Sequence, residues 1–210
     1  MRIHNAMSRH HRVDVEQAHL IASAFLDAPR APKTALVHAA YAELSVQAGR
    51  WFAHLTGTQA ARPVRVVYTR RREPYPAACD LSESVRRYNV LEVSPASHDC
   101  DRRHPLLDSS VGGAYDCLRA VHDIVSHGWY GYAFDRDGEF SAWLTEDRMY
   151  RGLARWALAT ELHGEHSVRW TSGNLADHKA ILLERSLLRS SQRRALAEQL
   201  WAKAPVRPTT

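Results

Sequence analysis

The sequence predicts an α+β fold that is predominantly α-helical, with a small antiparallel β element. Three observations predict it: apolar residues recur at helical spacing over most of the chain, only two short runs are rich in β-branched residues, and turn formers separate the segments. Asp14 is placed to cap a first helix running to about Ala28, which Pro29 and Pro32 end. Leu36, Val37, Ala40, Tyr41, Leu44, Ala48, Trp51, Phe52 and Leu55 then repeat at the helical period until Gly57, marking a second helix. The runs at 64–68 and 90–93 are expected to pair as antiparallel strands, separated by the turn at 74–76 and a polar stretch at 80–87. Residues 94–110, rich in Ser, Asp, Pro and His, read as a loop crossing the surface.

In the second half, Tyr115, Leu118, Val121, Ile124 and Val125 mark a helix ending near Gly128, followed by the aromatic loop WYGYAFDRDG. Helices are expected at 139–150 and 153–163, divided by a break around Gly152, and then at 175–188 and 192–201. Residues 1–12 are polar, basic and aperiodic and read as a flexible arm. Residues 13–203 read as one catalytic domain, and residues 204–210, with Pro205 and Pro208, as a tail.

With 210 residues, 45% of them apolar, the chain can bury a core of its own. It contains no run of about 18 apolar residues and no secretory leader pattern, so a cytoplasmic protein with no membrane partner is expected. Cys79, Cys100 and Cys117 form no metal-knuckle or disulfide spacing and are expected to be reduced. The net charge of +5 raises nucleic acid as a partner. The cations are scattered, however, with local runs such as those at 70–72 and 193–194 and only three lysines, so nucleic-acid binding is not favoured. The sequence sets no oligomeric state.

Among thirteen histidines, His122 and His127 stand out, because they flank one helix end in AVHDIVSHG and imidazole is a common metal ligand at neutral pH. Residues five apart diverge by about 140° on an ideal helix, so the helix must end or deform at His127, and Gly128 supplies an end. The bland alternative is a core His122 and a capping His127. Open metal sites often join two histidines to one carboxylate, for which Glu139, Glu161 and Glu165 are the candidates. Glu161 is preferred, because it lies by the apolar face defined by Leu153, Ala157, Leu158 and Leu162, where an unpaired charge is costly. Glu139 suits a first helical turn, where its charge complements the helix dipole. Asp123, Glu139 and His166 are the candidate catalytic side chains around the metal. His163 and Glu165 are further candidates for orienting the ligands. The aromatics from Trp129 to Trp170 divide between core and pocket wall.

The string from His122 to His127 resembles the metal motif of the aromatic amino acid hydroxylases, in which two histidines five apart are joined by a downstream glutamate. The run before Glu161 in RWALATELHG is similar to the helix carrying that glutamate. The resemblance covers about residues 117–165 and implies an iron(II) centre of His122, His127 and Glu161 with non-haem oxygenase or hydroxylase activity. Ser126 and Gly128 depart from the family pattern, and the chain is shorter than its catalytic domain, so neither pterin nor an aromatic amino acid substrate is implied. The stretches VHDIVSHG, GEFSAW and TELHGEHS also resemble uncharacterised proteins of actinobacterial phages.

The expected function is therefore a non-haem iron(II) monooxygenase of unknown substrate, with zinc or another divalent ion as the alternative metal. A second reading is an HD-type metal-dependent phosphohydrolase using His122 and Asp123, for which His98, His104 and Asp147 are the available partners. A third is a non-catalytic nucleic-acid-binding protein. Glu16 and His19 have Glu-x-x-His spacing, but the second such motif that a di-iron bundle needs is missing.

Overall fold

The computed structural model describes residues 10–29, 34–96, 104–107, 110–174 and 177–202, with side chains described as far as residue 196. His98, Cys100, most of the N-terminal arm and the C-terminal tail lie outside the described residues.

Asp14 caps α1 (Val15–Asp27), its carboxylate accepting the Gln17 N–H at 2.9 Å. Thr34 does the same for α2 (Ala35–Thr56) through Val37 N–H. Strand β1 (Arg65–Tyr68) is followed by α3 (Ala78–Glu83), which widens into a π-helical turn, Ser84–Tyr88, before β2 (Val90–Val93). Then come α4 (Ala114–His122) with a π-helical continuation, Asp123–Trp129, and α5 (Arg136–Glu146). α6 (Gly152–Ala159) runs through a third π segment, Thr160–Gly164, into α7 (Glu165–Ser172), and α8 (Arg185–Ala202) follows.

Two expectations are corrected. The strands pair in parallel, with Arg65 opposite Val90 and Tyr68 opposite Val93, not antiparallel. The cause is the stretch at 80–87: read as a polar linker, it is helical and carries the chain back across the sheet, and a long crossover through a helix makes parallel partners. The helix expected at 175–188 does not form over 177–184. Ala180, Ile181 and Leu183 are buried there in an irregular segment, and the Ile181 and Leu183 carbonyls accept from Thr160 Oγ1 and Trp156 Nε1. Side chains of α6 and its extension thus satisfy carbonyls that a helix would have used.

The break at Gly152 is confirmed and has a cause. Its φ is +62°, and Glu43 of α2 accepts the Leu153 N–H at 2.9 Å, so a carboxylate from a distant helix caps α6. One apolar core, containing Phe25, Tyr41, Leu44, Trp143, Tyr150 and Leu158, gathers the long helices. A second joins the sheet and α3 through Leu81, Val85, Leu91, Val121 and Ile124. α4 contributes Leu118 to the first and Val121 to the second, so the segment carrying His122 is clamped between two cores. Among the described residues, no helix is long and apolar enough to cross a membrane.

Candidate metal centre

The helix does not end at Gly128. Beyond His122 it loosens into the π segment Asp123–Trp129, whose i→i+5 bonding includes Tyr130 N–H to Val125 O at 3.0 Å. Histidines five apart, divergent on an α-helix, fall one above the other on a π turn, and the two Nε2 atoms stand 3.0 Å apart. Gly128 serves packing rather than a left-handed cap. A Cβ there would lie 2.9 Å from Val85 Cγ1, and its carbonyl accepts from Ser82 Oγ and Arg86 Nε at 3.0 Å each.

Both imidazoles are held by Nδ1. That of His127 lies 2.7 Å from the Tyr132 carbonyl, which can only accept, so His127 carries its proton on Nδ1 and presents a lone pair at Nε2. Nδ1 of His122 lies 2.7 Å from Glu146 Oε1, which also accepts from Ser126 Oγ at 2.6 Å. A carboxylate or carbonyl behind each histidine is the usual way a metal-binding imidazole is oriented and made more basic. Glu146, fully buried, was not found from the sequence. Its signal is its place seven residues after Glu139, two turns along the same face of α5. Glu146→Gln is expected to weaken divalent-ion affinity about 10–100-fold without loss of helix, as measured by calorimetric titration.

His122, Asp123 and His127 bring donor atoms within 4.8 Å of one another and form a cluster able to hold a metal ion. Glu139 closes another side: Oε2 lies 3.3 Å from His122 Nε2 and Oε1 3.7 Å from His127 Nε2. His166 Nδ1 reaches the same Glu139 Oε2 at 3.2 Å. Oε2 is aligned for a hydrogen bond with neither partner, leaving a buried carboxylate oxygen among ring nitrogens. Gly138 makes this placement possible, because Asp135 caps α5 through its N–H at 2.7 Å and a Cβ would collide with the Ala133 carbonyl.

The electrostatics follow from burial and crowding. Burial opposes ionisation of Glu139, but the imidazoles of His166 and His122 hold its carboxyl well below the usual range. Burial likewise resists charging His122, yet Glu146 and Glu139 keep it well above an ordinary histidine. His127 is pushed down by burial and by His122, and Asp123 is pushed up by burial against the pull of His122 and His127.

The other candidates lie elsewhere. Glu161 contacts Tyr41 Oη at 2.6 Å and His104 Nε2 at 3.3 Å, and the glutamate that meets the two histidines, alongside Asp123, is Glu139. Glu165 pairs with His178 at 3.0 Å. Asp147 is engaged by Arg155 and Gln192, so neither Asp147 nor His104 joins the His122–Asp123 pair. Glu16 and His19 are exposed on α1.

His163 is a core residue, stacked on Trp143 at 4.3 Å with Nε2 3.2 Å from Ser191 Oγ. Burial drives its pKa down from 6.5 to about 3, with His166 adding to the effect. The unfolded chain therefore takes up a proton at His163 below pH 6.5 that the folded chain refuses, and stability falls as pH drops toward 3. Between pH 7.5 and pH 5 this costs about 2 kcal/mol, which urea unfolding should show as a smaller acid loss in His163→Phe.

A cavity of ≈ 440 Å³ opens onto the centre, lined by His122, Asp123, His127, Glu139 and His166 and also by Arg72, Arg119, Arg169, Glu161 and Glu165. Comparison with protein-family models, curated proteins and solved structures returns no match.

Proposed function

We propose that the chain is a divalent-metal-dependent enzyme acting on an anionic ester, with phosphoester hydrolysis as its reaction. Nε2 of His122, Nε2 of His127 and the Glu139 carboxylate would hold the ion, with Asp123 beside it. One observation carries the reading: two imidazoles fixed by Nδ1 turn Nε2 atoms toward each other at 3.0 Å beside a buried carboxylate. A proton on His122 Nε2 bridges the pair when no ion is bound; once it is displaced, two lone pairs at this spacing suit neighbouring ligands of one ion, and two histidines with one carboxylate suit zinc, iron or manganese. A bound ion would lower the pKa of a water and polarise a substrate oxygen.

The chain's own side chains fit the rest of the reaction. Asp123, in the donor cluster, would take a proton from an attacking water, and His166, whose Nδ1 lies 3.2 Å from Glu139 Oε2, would give one to a leaving oxygen. Arg72, Arg119 and Arg169 give the cavity wall fixed positive charge for phosphate oxygens. The likeness to HD-type hydrolases is limited to the adjacent His122–Asp123 pair, which Glu139 and His166 would complete in place of His104 and Asp147.

A second reading, oxygen activation at iron(II), is favoured by the donor set itself, since two histidines and one carboxylate also describe non-haem oxygenases. The two are separated by assaying bis(p-nitrophenyl) phosphate and p-nitrophenyl phosphate with Mn²⁺, Zn²⁺ and Fe²⁺. Metal-dependent turnover is expected, reduced about 10²–10⁴-fold in Asp123→Asn with the metal retained. No turnover, together with a high-spin EPR signal when nitric oxide is added anaerobically to the iron(II) protein, would replace hydrolysis by the oxygenase reading.

A further inference from the structure

We infer that a second divalent-cation site, formed by Glu161, Glu165 and His178, lies at the wall of this cavity, which Glu161 and Glu165 line. It shares no ligand with the centre at His122 and stands or falls independently of the function proposed for that centre.

The Glu161 side chain is 2% exposed, and its Oε1 is held twice, by the Tyr41 hydroxyl at 2.6 Å and by His104 Nε2 at 3.3 Å. His104 Nδ1 accepts the Leu106 N–H at 3.3 Å, so its proton is on Nε2 and it acts as a donor to Glu161. The other oxygen, Oε2, is buried without a hydrogen-bond partner. A carboxylate with one oxygen anchored by two donors and the other bare is oriented as a ligand, with Tyr41 and His104 as positioning residues.

Glu165 stands four residues on, where the π segment passes into α7, and two carboxylates at that spacing repel each other. Both line the cavity. The nearby lysine is not their counterion: Lys179 Nζ donates to the carbonyls of Phe25, Leu26 and Ala28 at 2.8–3.2 Å. Glu161 is met by His104, and Glu165 by His178, whose Nδ1 lies 3.4 Å from Tyr115 Oη and 3.0 Å from Glu165 Oε1, a separation that cis ligands of one ion also show. Two carboxylates and an imidazole form a donor set for Mn, Fe, Co or Zn.

The register of α7 separates the two sites, since Glu165 turns to His178 while the next residue, His166, turns to Glu139. Among the described residues, only His122, Asp123 and His127 already bring three donors within 4.8 Å. An ion at the second site would therefore draw Glu161 toward the Glu165–His178 pair.

The test is equilibrium dialysis of tag-free full-length protein against Co²⁺, with metal counted per chain and folding followed by circular dichroism. Two Co²⁺ are expected for the parent and one each for Glu165→Gln, His178→Ala and His127→Ala. A Glu165→Gln/His127→Ala double variant should bind none. Glu161→Gln, which preserves shape, should weaken the second ion at least about tenfold while leaving the first, so the inference does not rest on a variant that fails to fold. One Co²⁺ in the parent, kept in Glu165→Gln and His178→Ala but lost in His127→Ala, would overturn the second site and leave the first. One Co²⁺ kept in His127→Ala and lost in Glu165→Gln would do the reverse. No Co²⁺ in the parent would overturn both.

Discussion

His127→Ala and His122→Ala are each expected to remove one equivalent of metal per chain, an affinity loss of more than about 100-fold, while the helical circular dichroism signal is kept. The size follows from the geometry. Changing a residue behind a ligand commonly costs 10–100-fold, and losing a ligand nitrogen costs more. The helical signal survives because the two apolar cores flanking the segment do not depend on either ring. Glu139→Ala should weaken the same ion, and Glu161→Ala should leave it in place, since Glu139 is the carboxylate 3.3 Å from His122 Nε2. A full metal complement in both histidine variants would remove the centre, and loss of this ion in Glu161→Ala with retention in Glu139→Ala would reassign its third ligand.

Trp143→Ala is expected to destabilise the fold by about 3–5 kcal/mol, the range for emptying a buried aromatic site. Trp143 is fully buried, packs near Phe140 and stacks on His163 at 4.3 Å with ring planes 10° apart. It lies on α5 between Glu139 and Glu146, so its loss should also loosen the support of both carboxylates. Trp143→Phe should cost much less, because the indole N–H has no hydrogen-bond partner and only ring volume is lost. Urea unfolding of the two variants tests this, and equal losses would show that the N–H contributes after all.

Several features were legible locally because they depend on neighbours within a turn. The caps at Asp14 and the long apolar stripe of α2 follow from short-range periodicity and side-chain chemistry, and both appear in the structure. The break at Gly152 was legible too, although its cap, Glu43, comes from a helix more than a hundred residues earlier. The pairing of His122 with His127 could be suspected from spacing, but the expected device, a helix end at Gly128, was not the one used. A π turn costs hydrogen-bond geometry that only packing can offset, and that packing is the approach of Gly128 to Val85, forty-three positions away.

The sequence by itself determined that the chain is predominantly helical, that its β content is slight, and that two histidines on one helix segment are its strongest metal-ligand candidates. These are properties of composition and of separations of a few residues. Tertiary structure alone decided the parallel sense of the sheet, because direction depends on how a crossover folds back. It also decided which glutamate meets the histidines. Local pattern favours Glu161, which lies by the apolar face of its helix, and assigns Glu139 to a first helical turn. Only the docking of α5 beside the π segment puts Glu139 at His122, while Tyr41 of α2 and His104 hold Glu161 in a separate cluster. Which glutamate stands beside the histidines is a distance between elements remote in the chain, and periodicity along one element carries no measure of it.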